Sequence, residues 1–402
     1  MSKFLDRLRS QAGDDSSALR AVFQLLHGFL FSTTATTTAA PHIHDANNVQ
    51  RVFNTFVIAS LPCWLIGAWN TGQQINVAMN AFGISASPGW RGSILAAFGV
   101  GYDPLNIGAC LVHGLTYFVP IFIVALLTGT LWEVAFAQGR RRPVDDGLLY
   151  IAWMFTLVLP ASVPLYQVML GMTFGMIVGK SIFGGTGRYL INPAVLGIGF
   201  LVFSYSNLLF AEGAWVPVAG FDEPTTIVLS VQEGGVPTLQ SVGYNWVHMF
   251  LGNQPGPLGV TSVFGCLLGA IYLLYRGAAS WRIMAGSFAG FVATVILFNQ
   301  LGPADSPTFS IPWNWHLVMG GWAFGTVFLA TDPVAAATTN VGRWWFGIIV
   351  GTLTVIVRFT NPSYFEGVLF AILLASIFSP LIDYVVVQRN IKRRRMRLAA
   401  ST

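Results

Sequence analysis

Ten apolar stretches recur along this chain, and they limit the folds open to it more than any other feature. A helix needs about 20 apolar residues to cross the hydrocarbon core of a bilayer. The stretches occupy residues 52–70, 106–136, 149–168, 170–186, 193–211, 257–275, 281–300, 316–330, 344–360 and 367–387. The sequence therefore predicts an all-α integral membrane protein with about ten transmembrane helices. Pro120 is expected to break the second stretch, and Pro160 with Pro164 to kink the third; the short, glycine-rich fourth could be re-entrant.

The composition excludes a soluble protein. Only 9% of the residues are charged and 54% are hydrophobic, whereas a soluble domain carries roughly 25% charged residues. Such a chain cannot cover a water-facing surface. Its net charge of +5 therefore indicates orientation in a membrane, not a nucleic-acid partner.

The basic residues are distributed unevenly between the two sides of the predicted bundle. With the N-terminus inside, all but two of the 21 Lys and Arg residues fall in inside segments, the exceptions being Arg91 and Arg358. This pattern predicts that both termini are cytoplasmic. The predicted regions are a cytoplasmic N-terminal segment (1–51), a transmembrane domain (52–388) with a periplasmic loop (about 211–244) that holds four acids and no Lys or Arg, and a basic cytoplasmic tail (389–402) that binds lipid headgroups.

Two polar motifs stand at the inner ends of predicted helices. In "GKSIFGGTGRYLINPA", residues Gly184, Gly185, Thr186 and Gly187 form either a close-packed turn or a backbone N–H site for an anion or a flavin phosphate. Asn192-Pro193 resembles a helix start, with Asn as the cap. In "FLATDPVAAATTN", Asp332 is either a similar cap or a cation ligand, with hydroxyls from Thr331, Thr338 and Thr339 nearby.

Other polar residues lie inside apolar stretches. Glu133 and Asp383 are functional candidates, because a carboxylate in hydrocarbon is costly, or solvated acids near the inner interface. His316 lies among Trp313, Trp315 and Trp322, which predicts an aromatic belt or, alternatively, a redox or quinone role. The three cysteines form no CxxC pair, so no iron–sulfur or zinc site is expected, and the only metal ion expected is a transported one.

Several long motifs resemble the B subunits of Na⁺-translocating NADH:quinone oxidoreductases, of the NqrB/RnfD family. They are "FGGTGRYLINPA", "FLATDPVAAATTNVGRWWFGIIVG", "WRIMAG" and "NPSYFEGVLFAILLASIFSPLIDYVVVQRNIKRR". The resemblance implies a multi-pass component of a bacterial inner-membrane complex, with the A, C, D, E and F subunits as partners and no catalytic residue of its own. That complex passes electrons from NADH to ubiquinone and exports Na⁺.

The resemblance also implies a flavin. In the family, FMN is attached through its phosphate to a threonine, and the matching stretch here is "AGFDEPTT". Counting from Gly220-Phe221 gives Thr225 as the attachment residue, and counting back from Gly234-Gly235 gives Thr226. The stretch departs from the family pattern before these threonines, where Asp222-Glu223-Pro224 replaces Ser-Gly-Ala. Riboflavin remains open as a second, non-covalent flavin.

The family further implies that Glu133, Asp332 and Asp383 lie on the Na⁺ pathway. Gly129, Thr130 and Leu131 match its quinone-associated Gly-Gly-Phe segment. Two alternatives remain: an RnfD-type component of an ion-translocating ferredoxin:NAD oxidoreductase, and a flavin-free secondary transporter, in which the "FGGTG…NPA" and "ATDPVAAATTN" segments would be a repeated pair.

Overall fold

The computed structural model describes residues 48–141, 144–209, 214–218, 225–303, 306–360 and 367–401. All regular secondary structure in these ranges is helical, which confirms the all-α prediction. Five of the described helices are long and apolar enough to cross a membrane, and three shorter ones are also apolar. The chain is therefore a multi-pass membrane protein. The count of ten spans and the cytoplasmic placement of both termini remain predictions.

The described helices and two π-helical segments follow one another along the chain in this order. They are α1 (Val49–Ala81), α2 (Gly89–Ala97), α3 (Ile107–Arg140), α4 (Leu148–Val158), α5 (Leu165–Phe174), π1 (Gly175–Ser181), α6 (Pro193–Leu209), α7 (Thr226–Glu233), α8 (Val236–Ser241), α9 (Trp246–Leu251), α10 (Val263–Tyr275), α11 (Trp281–Leu301), α12 (Pro307–Ser310), α13 (Trp313–Val318), α14 (Trp322–Phe324), π2 (Gly325–Leu329), α15 (Asn340–Thr360) and α16 (Val368–Ser401).

The expected break at Pro120 is wrong. Pro120 lies inside α3, which is helical from Ile107 to Arg140. Apolar surroundings leave the backbone no partner better than its own helix, and packed neighbours compensate for the one hydrogen bond that proline removes. The close neighbour of α3 is α1, because a side chain at Gly114 would collide with the backbone of Ala68.

Two predicted spans are not single helices. The stretch 149–168 ends as a helix at Val158 and resumes at Leu165, so Pro160 and Pro164 produce a full interruption in place of a kink. The stretch 316–330 is interrupted between α13 and α14, where Gly320 adopts a φ of 69°. Each interruption is followed by a short α-helix that passes into a π-helix at a Phe-Gly pair.

One continuous apolar core joins both halves of the chain, from Phe53 on α1 to Ala375 on α16. Large apolar side chains such as Leu127 and Ile271 are more than 60% exposed on the outside of the bundle, as expected for a lipid-facing surface. The predicted basic tail continues α16 as a helix through Ser401. The N-terminal segment up to residue 47 lies outside the described residues.

Candidate functional site

An enclosed polar site surrounds the carboxylate of Asp332, which is 1% exposed. Asn192 Nδ2 donates to Asp332 Oδ2 at 2.7 Å. The hydroxyl of Tyr189 lies 3.2 Å from both carboxylate oxygens, and the hydroxyl of Tyr150 lies 3.3 Å from Oδ2. None of the hydrogen bonds described for this carboxylate comes from Lys or Arg. The charge is thus held by uncharged dipoles alone.

Three separate parts of the chain deliver these groups. Tyr150 lies on α4, Tyr189 and Asn192 follow π1, and Asp332 follows π2. The site therefore lies where the segments after both interrupted helices meet. π-Helical turns inside α-helices are often found at functional sites. Here the segment after each π-helix carries at least one polar residue of this site.

Local capping chemistry explains why the backbone turns here. Asn192 Oδ1 accepts the N–H of Ala194 at 2.9 Å, and Pro193 is the first residue of α6, so the predicted helix start is confirmed. Asp332 Oδ1 accepts the N–H groups of Val334 and Ala335 at 2.7 and 3.0 Å. Asp332 caps only a turn, since the next helix does not begin until Asn340.

The expected threonine hydroxyls do not join Asp332. Thr331 donates to the carbonyl of Val327, and Thr338 and Thr339 donate both their N–H and hydroxyl groups to Asp383 on α16. Asp383 therefore receives four hydrogen bonds and holds α16 against the start of α15. Its carboxylate is partly exposed, unlike that of Asp332.

Glu133 forms a buried ion pair that the sequence did not predict. Lys180 on π1 donates to Glu133 Oε1 and, at 3.0 Å, to the carbonyl of Asp146. The side chains of Lys180 and Glu133 are 1% and 6% exposed. A buried carboxylate and a buried ammonium compensate each other, so Glu133 already has a cationic partner within the chain.

The glycine-rich loop after π1 lies beside the same pair. Gly184, Gly185 and Gly187 all adopt positive φ, as a tight turn requires. The N–H of Thr186, one possible anion donor, instead points to Asp145 Oδ2 at 3.2 Å, and the Thr186 hydroxyl donates to the carbonyl of Asp146. A carboxylate of the chain itself thus uses part of the proposed anion site, and flavin binding there stays a prediction.

Asp146 is a third acid close to Lys180. Burial raises the pKa of its carboxyl above the ordinary value; Lys180 opposes this rise, and the neighbouring Asp145 adds to it. The C-terminal part of α3 and the segment after it therefore gather three acids, Glu133, Asp145 and Asp146, near Lys180. Such a cluster favours cations over anions.

Gly129, Thr130 and Leu131, the predicted quinone segment, lie close by on α3 and differ in environment. Gly129 packs against α4 and α5, where an added side chain would collide with Leu148 and Met172. The Thr130 hydroxyl bonds to the carbonyl of Leu126 at 2.8 Å. Leu131 is 65% exposed on the lipid-facing surface. The segment is thus reachable from the bilayer.

The two candidate flavin threonines differ in their contacts. Thr226 is 1% exposed, and its hydroxyl donates to Gln254 Oε1 at 2.8 Å. Thr225 is the N-cap of α7, and its hydroxyl accepts the N–H of Val228 at 3.5 Å, a long bond. The residues of this loop from 219 to 224 lie outside the described part of the chain.

His316, Trp315 and Trp322 are buried and so do not belong to an aromatic belt, whereas Trp313 is 41% exposed. The carbonyl of His316 accepts a hydrogen bond of 2.8 Å from Arg358, which is itself 2% exposed. The cysteines are buried as expected, and the described residues contain no group of His, Cys, Asp and Glu suited to a metal ion.

Sequence reasoning missed Tyr150, Tyr189 and the pairing role of Lys180. Lys180 was detectable in principle, since a lysine in an apolar stretch requires an anionic partner. Nothing local distinguishes Tyr150 from an ordinary core tyrosine, because its role depends on contacts 182 residues away in sequence.

Comparison with known proteins supports a single family. The NQR2, RnfD, RnfE family matches residues 36–392. The B subunit of the Na(+)-translocating NADH-quinone reductase of Azotobacter vinelandii is 40% identical over 398 residues, covering 98% of each chain. The B subunit of the Pseudomonas aeruginosa reductase is 40% identical over 94% of this chain and 93% of its own length. That of Chromohalobacter salexigens is 41% identical over 94% and 92%.

These matches extend over almost the whole chain and include the segments that carry Asp332, Glu133 and Lys180. The resemblance seen in the motifs is thereby confirmed, and the chain belongs to the NQR2, RnfD, RnfE family.

Proposed function

We propose that this chain is the B subunit of a Na⁺-translocating NADH:quinone reductase of the bacterial inner membrane. The observation that carries the proposal is 40% identity over 98% of both chains with a protein of that name. In this function the chain works with the A, C, D, E and F subunits. It contributes to electron transfer from NADH to ubiquinone and to Na⁺ export.

Asp332 is the proposed Na⁺ ligand at the inner ends of the helices. Its charge is enclosed and balanced only by neutral donors among the hydrogen bonds described for it, so a small monovalent cation would be attracted to it. The hydroxyl oxygens of Tyr150 and Tyr189 can rotate to act as ligands, and Tyr150 also reaches the carbonyl of Phe328 at 3.3 Å. These are hard oxygen ligands of the type that alkali cations prefer.

Glu133 and Asp383 are proposed as further Na⁺-binding residues on the translocation pathway. At Glu133 an entering Na⁺ ion competes with the ammonium of Lys180, which neutralises the same carboxylate. At Asp383 the carboxylate is partly exposed and lies near the inner ends of α15 and α16. The difference in burial suggests that Na⁺ meets the partly exposed Asp383 before it reaches the enclosed Asp332.

FMN is proposed to be attached to Thr225, and when bound it supplies a carrier of one or two electrons. The contacts favour Thr225 over Thr226, because the Thr226 hydroxyl is buried against Gln254 whereas that of Thr225 makes one long bond. Thr225→Val should therefore abolish the flavin fluorescence of the denatured chain in a gel, and Thr226→Val should retain it. The opposite result would move the attachment site by one residue.

The segment Gly129-Thr130-Leu131 is proposed to face ubiquinone, which reaches the complex through the bilayer. The exposure of Leu131 supports this, together with the close packing of Gly129. A larger residue at Gly129 would displace Leu148 and Met172 and so change the wall of any quinone site there.

The experiment that tests the whole function uses the purified complex in liposomes. Addition of NADH and a soluble ubiquinone should drive Na⁺ transport that stops without either reagent. A flavin-free secondary transporter, which the two interrupted helices also permit, would exchange Na⁺ without NADH. An RnfD-type protein would respond to reduced ferredoxin with NAD⁺.

A further inference from the structure

The segment that joins α1 to α3 folds back along α3. The ring of Tyr102 packs against that of His113, with 5.6 Å between the ring centroids. The guanidinium of Arg91 lies 4.3 Å from the centre of the Tyr117 ring. Tyr117 follows Ile107, the first residue of α3, by ten positions, which is about 15 Å along the helix axis. The short helix α2 in this segment therefore lies alongside α3 and not beyond its end, which brings α2 towards the bilayer.

The two faces of α2 differ in exposure. Gly92 and Leu95 are buried against the rest of the protein. Trp90, Ile94 and Phe98 are exposed, and Phe98, which directly follows the helix, is exposed by 76%. Residues four positions apart lie on the same face of a helix, so these three side chains form an apolar stripe. Such a stripe on a helix that joins two membrane-spanning helices is typical of a helix in the membrane interface.

Further exposed apolar residues lead from α2 onto the lipid-facing surface of α3. Leu105 and Ile107 are exposed at the start of α3, and Val119, Ile123 and Leu127 are exposed further along it. A large exposed apolar surface indicates a membrane or a protein partner. Because this surface continues along a membrane-spanning helix, the acyl chains of phospholipids fit it best.

Arg91 supplies a charge beside the stripe. Its guanidinium lies over two aromatic rings, 4.7 Å from the centre of Trp90 and 4.3 Å from that of Tyr117. Its Nε is buried without a hydrogen-bond partner, and no described residue forms an ion pair with it. Asp103, the nearest acid in sequence, accepts the N–H of Leu105 at 2.9 Å. An arginine stacked on aromatic rings is well oriented to bind a phosphate through two parallel hydrogen bonds.

We propose that α2 and Arg91 bind a phospholipid of the leaflet at this end of the bundle. The phosphate accepts hydrogen bonds from the terminal nitrogens of Arg91, and the acyl chains lie along Trp90, Ile94 and Phe98. The positive-inside distribution does not account for Arg91, which falls in a predicted outer segment. A phosphate partner at the membrane surface does account for it, because the two charges compensate each other there.

The test uses the purified, assembled complex in detergent and a phosphatidylglycerol that carries a photoactivatable diazirine next to its glycerol backbone. Wild type is compared with Arg91→Met, Arg91→Lys and Arg276→Met. Arg276 is an exposed arginine directly after α10, so its replacement removes the same charge elsewhere on the surface and is the matched control. After irradiation, mass spectrometry of the peptides measures the label on residues 87–100.

Wild type and Arg276→Met should carry equal label on the peptide that contains α2. The label should fall by about tenfold or more in Arg91→Met, as expected for the loss of hydrogen bonds between charged groups. It should fall less in Arg91→Lys, because lysine keeps the charge but not the planar fork. A diacylglycerol with the same diazirine lacks the phosphate, and it should label wild type as weakly as the phosphatidylglycerol labels Arg91→Met.

Four results would overturn the proposal. Equal label on α2 in wild type and Arg91→Met would show that Arg91 does not bind the phosphate. An unlabelled α2 in the wild-type complex would show that a partner protein covers the stripe. Complete competition by inorganic phosphate would assign Arg91 to a free anion. If Arg91→Met does not assemble, the two lipids on wild type decide the question, and equal labelling by both would refute the phosphate contact.

Discussion

At the scale of single residues, the carboxylates of Asp332 and Asp383 differ in what they can do. Asp383 accepts four hydrogen bonds from Thr338 and Thr339 and is partly exposed. Asp332 is enclosed, and its donors are two tyrosine hydroxyls, the Asn192 amide and two backbone N–H groups. Binding of a mobile cation stabilises an enclosed carboxylate that has no cationic donor more than it stabilises a carboxylate in contact with water.

Asp332→Asn should weaken the Na⁺ dependence of quinone reduction while the complex still assembles. Asn keeps an oxygen for the N–H groups of Val334 and Ala335 but loses the charge that attracts the cation. We expect the apparent affinity for Na⁺ to fall by about tenfold or more, which corresponds to roughly 1.4 kcal/mol. Turnover measured against Na⁺ concentration checks this; an unchanged dependence in an assembled mutant would leave Asp332 as a cap only.

Lys180→Met should destabilise the protein by about 3–5 kcal/mol, because it leaves Glu133 buried without a compensating charge. The double variant Glu133→Gln/Lys180→Met should recover most of that loss, since both charges are then absent. Thermal unfolding of the purified single and double variants provides the cycle that isolates the pair. Equal losses in Lys180→Met and the double variant would show that Lys180 acts by packing and not by charge.

At the scale of elements, length and apolarity identified the continuous helices but not the interrupted ones. The predicted stretch 281–300 corresponds closely to α11, Trp281–Leu301. The stretches containing Pro160 and Gly320 are also apolar, yet each is divided. Pro160 with Pro164, and the positive φ of Gly320, interrupt these helices, whereas the single Pro120 leaves α3 continuous. The same limit applies to the site residues. The sequence identified Asp332 as a cap or a cation ligand, whereas Tyr150 reaches Asp332 only through the tertiary fold.

The contact between α11 and α15 depends on glycine, and this gives a test at the same scale. A side chain at Gly351 would collide with the backbone of Ser287 and Phe291. Gly351→Ala should therefore push the helices apart and cost about 1–3 kcal/mol. Gly139→Ala on α3 meets nothing within 4 Å and should be neutral or slightly stabilising. Similar melting temperatures for the two variants would refute the close contact.

At the scale of the whole molecule, the tertiary contacts agree with the predicted alternation of sides. Segments assigned to the inside contact one another, as Thr186 does with Asp145 and Thr338 with Asp383. Segments assigned to the outside do the same, as Asn70 does with Gln254. A wrong number of crossings between these segments would place bonded residues on opposite sides. The contacts are consistent with the predicted alternation of sides, which stays a prediction.

The orientation itself can be tested with a membrane-impermeant thiol reagent. The native cysteines are all buried, so an introduced cysteine at an exposed position gives a clear signal. Ser241→Cys, in the predicted periplasmic loop, should be labelled in whole cells whose outer membrane has been permeabilised. Arg188→Cys should be labelled only in inside-out vesicles; both native residues are exposed. Labelling of Arg188→Cys from outside, or of Ser241→Cys only from inside, would show that the orientation is opposite to the predicted one. The acids proposed for the Na⁺ pathway would then lie at the opposite face of the membrane. Because Asp332, Glu133 and Asp383 all lie at one predicted end, the direction in which Na⁺ meets them depends on this result.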